Sequence, residues 1–100
     1  MKLFENTGIK ECVLEEIRNL ARQHEIEKVI LFGSRARGDF YKTSDIDIAS
    51  SGGNFVRFSL EVEEDTSTLL QYDIVNLDGA VSEELRDAIN REGRILYEKV

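Results

Sequence analysis

The chain has 100 residues, of which 41% are apolar and 33% are charged, and its formal net charge is -7. This length suits one small domain, which we expect to span residues 1–100. A single cysteine, Cys12, cannot form an internal disulfide, so the disulfide-rich secreted class is excluded. Because 20 acidic residues outnumber 13 basic ones, the surface should repel a phosphate backbone, which argues against direct binding of nucleic acid.

No stretch of the sequence has the features of a membrane span or of a secretion signal. The longest purely apolar run, Val29 to Phe32, is far below the roughly 18 to 20 residues that a transmembrane helix needs. The N-terminal residues 1–6 become polar and acidic at once, without the apolar centre of a signal peptide. We therefore expect a cytoplasmic protein that does not bind membranes.

The first elements along the chain are predicted to be a helix and a buried strand. Apolar residues recur at steps of three and four from about Ile9 to His24, which predicts an amphipathic helix. The segment Lys28–Phe32 is short, apolar and rich in β-branched residues, as a buried strand is. The segment Ser34–Arg37 lies between Gly33 and Gly38, which favours a tight turn and a short helical piece.

The second half of the chain is predicted to add two strands and a final helix. Apolar and acidic residues alternate over residues 45–49, and residues 72–77 form a third strand. Ser82 has the character of a helix N-cap, and Gly93 ends that helix. Residues 94–100 are expected to be a short terminal tail. Together these elements predict one α/β or α+β domain, with a small mixed sheet and helices packed against it.

Residues 55–68 follow two periods at once. Apolar side chains at positions 56, 58, 60 and 62 alternate as in a strand, whereas those at 55, 58 and 62 have helical spacing. Periodicity alone does not decide between these two interpretations.

Three aspartates and a glycine–serine turn make up the candidate site. Asp45 and Asp47 share one face of a strand, where two carboxylates repel each other unless a cation or water separates them. Asp73 adds a third acid in an otherwise apolar strand, and Asp78 is the alternative third acid. If the two strands are neighbours, the carboxylates converge beside the backbone N–H groups and hydroxyl of Gly33–Ser34. Such a set suits Mg²⁺ with bound phosphates, and two ions would serve an in-line displacement. Taken singly, each feature also fits an ordinary polar strand face or a capped turn.

The spacing of these residues resembles that of a known family. Gly33-Ser34, ten intervening residues and then Asp45-Ile46-Asp47 are similar to the signature of the minimal nucleotidyltransferases of the DNA polymerase beta superfamily. The similarity extends over nearly the whole chain, including residues 72–78 and the final helix. The resemblance implies a nucleotidyltransferase-like fold, and it favours a helix where residues 55–64 fall.

The resemblance also implies a role for each residue of the site. Gly33 and Ser34 are the positions that would bind the β- and γ-phosphates of a nucleoside triphosphate. Arg35 and Arg37 match basic positions of the motif that would contact phosphates, and the alternative for both is a solvated charge in a loop. The positions that would ligate Mg²⁺ and carry the catalysis are Asp45, Asp47 and Asp73. The last of these would also assist deprotonation of the acceptor hydroxyl.

The resemblance extends to partners. Minimal nucleotidyltransferases similar to this chain are commonly antitoxins paired with a HEPN-domain toxin, and some transfer AMP from ATP to a tyrosine of that toxin. The implied function is therefore Mg²⁺-dependent transfer of AMP from ATP to a hydroxyl of a partner protein, in a homo-oligomer or a hetero-oligomer. The main alternative is a non-catalytic antitoxin that neutralises its partner by binding. Transfer to RNA is disfavoured by the acidic surface, and transfer to a small molecule by the expected single domain.

Overall fold

The order of elements along the chain alternates helices with strands. The computed structural model describes residues 6–100, and this part of the chain contains four helices and four strands. They are α1 (Glu11–Gln23), β1 (Lys28–Phe32), α2 (Ser34–Arg37), β2 (Ile46–Ser51), α3 (Phe55–Asp65), β3 (Tyr72–Asn76), α4 (Glu83–Glu92) and β4 (Arg94–Glu98). The expected architecture, a small mixed sheet with helices packed against it, is confirmed.

The described helices bear on the prediction about membranes, and the N-terminal residues bear on the prediction about secretion. Within residues 6–100, no helix is both long enough and apolar enough to cross a lipid bilayer. The absence of a signal peptide was predicted from residues 1–6, and of these residues 1–5 lie outside the described part of the chain.

The sheet brings the predicted site residues to one end. Its strand order is β3-β2-β1-β4, with β1 antiparallel to both β2 and β4, and β2 parallel to β3. Asp47 of β2 is paired with Phe32, the last residue of β1, and with Asp73 near the start of β3. The end of β1 therefore meets the beginnings of β2 and β3 at one end of the sheet.

The two faces of the sheet are covered by different helices. Helices α1 and α3 pack on the face that carries Ile46 and Ile48, and they form the larger apolar cluster with it. The smaller cluster, on the other face, contains Phe32, Ala49 and the α4 residue Ile89. Because side chains alternate along a strand, Asp47 lies on the α4 face together with Ala49.

The prediction for the C-terminal segment is wrong. Residues 94–98, expected to belong to a tail, form strand β4, which pairs with β1 and buries Leu96. The close approach of the chain to α4 and β1 at Gly93 requires glycine, because a Cβ there would collide with the carbonyl of Ile89 and with the side chain of Ile30. The chain can therefore pass directly from α4 into the sheet.

The ambiguous segment is a helix, as the family resemblance predicts. Asn54 caps α3 by accepting a hydrogen bond from the N–H of Arg57 at 3.2 Å. Phe58 is fully buried, whereas Val56 is 71% exposed. In a strand these two side chains would share a face, so their opposite environments follow from helical geometry.

Replacing Phe58 with Ala should lower the free energy of unfolding by about 3–5 kcal/mol, because the change leaves a cavity between α3 and the sheet. The matched control on the same helix is Val56→Ala, which should change stability by about 0.5 kcal/mol or less. Urea denaturation measures both values. Similar losses for the two variants would contradict the helical placement of this segment.

Candidate active site

Three aspartates lie where β2 and β3 begin. Asp47 and Asp73 are directly opposite each other on these neighbouring parallel strands, and Asp45 immediately precedes β2. Asp45 and Asp73 are exposed, whereas Asp47 is partly buried. The strand pairing that the sequence analysis required for a common site is therefore present.

The aspartates interact electrostatically. Burial raises the pKa of Asp47 to about 6, and the charges of Asp73 and Asp45 contribute to the increase, while the positive charge of Arg37 opposes it. A carboxylate in this position is stabilised in its ionised form when positive charge is added nearby. The site is thus suited to a cation or to a cationic group of a ligand.

The donor chemistry of this cluster fits a divalent cation such as Mg²⁺. Aspartate oxygens are the ligands that Mg²⁺ prefers, and the ion usually combines a few carboxylates with water and phosphate oxygens. Within residues 6–100, no three His, Cys, Asp or Glu side chains are close enough together to form a complete metal site by themselves. A cation bound at these aspartates would therefore need further oxygen ligands, such as water or phosphate.

A glycine turn lies directly against this cluster. Gly33 has φ 75° and ψ -159°, a backbone conformation that is essentially restricted to glycine. A Cβ at this position would collide with the carboxylate of Asp47. The first residue of α2, Ser34, follows at once, and within residues 6–100 its hydroxyl makes no hydrogen bond. The turn and the carboxylates are therefore one continuous site.

The structure gives Arg35 a different place from the one implied by the family resemblance. Its side chain is buried, with 1% of the residue exposed, and its guanidinium lies over the ring of Phe40, 4.7 Å from the centroid. Four of its N–H donors bond to backbone carbonyls, those of Thr7, Tyr41, Lys42 and Ser44. These bonds engage the guanidinium inside the protein, so Arg35 supports the surrounding loops and does not face the site.

Arg37 lies on the side of the carboxylates. It bonds to Asp39 at 3.1 Å and to Glu92, the last residue of α4, at 2.8 Å, and its charge acts on Asp47. Residues two positions apart on a helix point in different directions, which explains why only one of the two arginines reaches the site. Glu92 could not be recognised as part of the site from the sequence, because 55 positions separate it from Arg37 and no local pattern joins them.

Asp78, the alternative third acid, lies elsewhere. Its carboxylate accepts a hydrogen bond from the N–H of Gly52 at 2.7 Å, beyond the C-terminal end of β2. Asp47 and Asp73 lie near the beginnings of their strands, so Asp78 is at the opposite end of the sheet. Strand register thus favours Asp73 as the third carboxylate.

Replacing Gly33 with Ala should lower the free energy of unfolding by about 1–3 kcal/mol from the backbone conformation alone. The clash with Asp47 adds to this loss, so Asp47→Ala should recover part of it in a double-mutant cycle. The control is Gly38→Ala, because Gly38 has φ 93° but open space around it. Urea denaturation gives the coupling energy, and strictly additive losses would contradict contact between Gly33 and Asp47.

Replacing Asp47 with Asn should stabilise the metal-free protein at neutral pH. The folded-state pKa of about 6 exceeds the ordinary value of 3.8, so ionisation of Asp47 costs folding free energy as the pH rises through this window. Because the side chain is partly exposed, we expect a gain of about 1–2 kcal/mol at pH 7 and almost none near pH 4. Urea denaturation in EDTA measures this, and an equal gain at both pH values would contradict the electrostatic origin.

Comparison with known proteins agrees with this geometry. Residues 15–100 match the family described as "Polymerase beta, Nucleotidyltransferase". A protein of Methanocaldococcus jannaschii named "Putative protein adenylyltransferase" is 43% identical over 81 residues, which cover 72% of this chain and 79% of that protein.

Two crystal structures of toxin–antitoxin systems have a similar fold. One, a toxin–antitoxin with AMP-PNP, has a TM-score of 0.66 and 25% sequence identity. The other, a mutant of the toxin–antitoxin MntA-HpeT, has a TM-score of 0.68 and 23% identity. Each similarity covers 86% of this chain and 73% of the other chain. The chain belongs to the polymerase beta nucleotidyltransferase family, in agreement with its resemblance to the minimal nucleotidyltransferases.

Proposed function

We propose that the protein transfers AMP from ATP to a hydroxyl group of a partner protein, and that it acts in the cytoplasm as the antitoxin of a HEPN-domain toxin. The observation that carries the proposal is the contact between the Gly33 turn and Asp47, with Asp73 in register beside them. The named activity of the relative from Methanocaldococcus jannaschii and the toxin–antitoxin neighbours support the choice of substrate and partner.

The aspartates in this proposal provide the metal ligands and the base. Asp45, Asp47 and Asp73 would hold Mg²⁺, in two ions, which neutralises phosphate charge and orients the reacting oxygens. Asp73, exposed at the edge strand, accepts the proton of the acceptor hydroxyl. The hydroxyl oxygen then bonds to the α-phosphorus of ATP as the bond to the bridging oxygen breaks, and pyrophosphate leaves with that electron pair.

The turn and Arg37 in this proposal bind the triphosphate. The N–H groups of Ser34 and Arg35 precede the first hydrogen bond of α2, which Ala36 donates to the carbonyl of Gly33 at 3.1 Å, so they can donate to phosphate oxygens together with the hydroxyl of Ser34. Arg37 is exposed and lies near Asp47, where it can exchange its contacts with Asp39 and Glu92 for a phosphate. We do not give such a contact to Arg35, because its guanidinium is buried.

The test is transfer of label from ATP to a co-purified partner. The protein, purified together with the chain that it binds, is incubated with α-labelled ATP and Mg²⁺, and we expect label on the partner. Asp47→Asn should reduce transfer by at least about 100-fold, since it removes a ligand from the metal site. Asp78→Asn is the matched control, because this residue lies at the opposite end of the sheet and should leave transfer intact.

Two results would contradict the proposal in different ways. Label that persists in the Asp47→Asn variant would exclude the proposed site. No label on the partner, together with a stable complex formed by both the original chain and the variant, would favour the alternative function, an antitoxin that neutralises its partner by binding alone.

A further inference from the structure

A groove of about 630 Å³ opens on the other side of the sheet from the aspartates. Three segments form it: the chain that enters α1, the loop before β2 and the loop between α3 and β3. Its lining consists of Gly8, Ile9, Lys10, Val13, Lys42, Thr66, Ser67, Thr68, Leu69 and Leu70. No residue of the candidate active site is among them, so the groove is a separate feature of the surface.

The walls of this groove are tied to the body of the protein. The carboxylate of Glu16 on α1 accepts hydrogen bonds from the N–H of Ser67 at 2.8 Å and from its hydroxyl at 2.7 Å. On the opposite wall, the buried guanidinium of Arg35 binds the carbonyls of Thr7 and Lys42. A groove held in this way loses little conformational freedom when it binds a ligand, which favours affinity.

The charge of the groove is opposite to that of the chain as a whole. The chain carries 20 acidic and 13 basic residues, whereas the lining that residues 6–100 contribute contains two lysines and no acid, with the Glu16 carboxylate bonded to Ser67 behind it. Lys10 and Lys42 are both exposed, and neither is paired with a carboxylate within residues 6–100. The apolar side chain of Leu69 on the same surface is fully exposed. This combination suits a ligand that has both negative charges and apolar groups.

The groove lies close to the catalytic end of the sheet. The N–H of Ile46, between Asp45 and Asp47, donates to the carbonyl of Gln71 at 2.9 Å, and the groove residue Leu70 precedes Gln71. Lys42 lies in the loop that leads to Asp45. The groove therefore adjoins the end of the sheet that carries the aspartates, where the acceptor hydroxyl arrives in the proposed function.

We infer that the groove binds an acidic segment of the partner protein, with its apolar side chains against Ile9, Leu69 and Leu70 and its carboxylates near Lys10 and Lys42. The inference rests on the proposed function in one respect, namely that the partner is a protein. A nucleic acid would also supply negative charge, but a long polyanion would extend over the rest of the surface, and the net charge of -7 opposes its binding. A short acidic segment would stay within the groove, beside Lys10 and Lys42.

A pair of synthetic peptides tests this inference without any transfer reaction. One is a 12-residue peptide rich in Glu and Leu, and the other has Lys in place of each Glu. We expect the acidic peptide to shift the NMR signals of Ile9, Lys10 and Leu69 and to bind at least about tenfold more tightly than the basic one. Equal binding of the two peptides, shifts located elsewhere, or tighter binding of a single-stranded oligonucleotide would overturn the inference.

Charge reversal then separates docking from catalysis. The double variant Lys10→Glu/Lys42→Glu should prefer the basic peptide and should raise the KM for the partner about tenfold, with kcat unchanged. The control Lys28→Glu/Lys99→Glu changes the net charge equally outside the groove, and it should bind the acidic peptide as the original chain does. The Asp47→Asn variant should still bind the acidic peptide. If the peptide binds in the groove but no label is transferred, the proposed function fails and the groove stands. If the peptide does not bind in the groove, the inference about the groove fails whatever the result for transfer.

Discussion

The packing of the Asp47 carboxylate against the backbone of Gly33 is the constraint on which the site depends. It requires glycine at the turn, and it joins the turn to the start of β2, which Asp45 immediately precedes. The parallel register of β2 and β3 then places Asp73 beside the same carboxylate. Burial and like charges raise the pKa of Asp47, so folding brings together groups that repel one another. Such an arrangement is common at functional sites, where a bound cation or substrate relieves the repulsion.

The same fold places two different surfaces around one end of the sheet. The α4 face carries the aspartates, and the face covered by α1 and α3 leads to the groove. The Arg35 guanidinium connects them, because it binds carbonyls in the groove walls and also the carbonyl of Ser44, the residue before Asp45. A buried charge with this many backbone partners fixes the relative position of the loops. The walls of the groove and the segment that leads to Asp45 are therefore held by one side chain.

Local sequence patterns predicted the parts of the fold that depend on local geometry. The apolar period of α1, the β-branched run of β1 and the alternation around Asp47 were sufficient for those elements. The helix α3 needed the family resemblance, because its apolar residues satisfy two periods. Strand β4 was missed because its partner β1 is more than 60 positions away, and a short apolar segment without that partner is indistinguishable from a tail. The placement of Arg35 could not be predicted for a similar reason, since Thr7 becomes its neighbour only when the chain folds.

The most direct test of the site is to locate a bound metal–nucleotide complex. Mn²⁺ accepts the same oxygen ligands as Mg²⁺ and broadens the NMR signals of nearby nuclei, and α,β-methylene-ATP supplies a triphosphate in which carbon replaces the bridging oxygen whose bond the proposed transfer breaks. We expect the strongest broadening at Gly33, Ser34, Asp47 and Asp73, little effect at Leu69 in the groove, and loss of the effect in the Asp47→Asn variant. Broadening centred elsewhere, or unchanged in that variant, would contradict the assignment of the site.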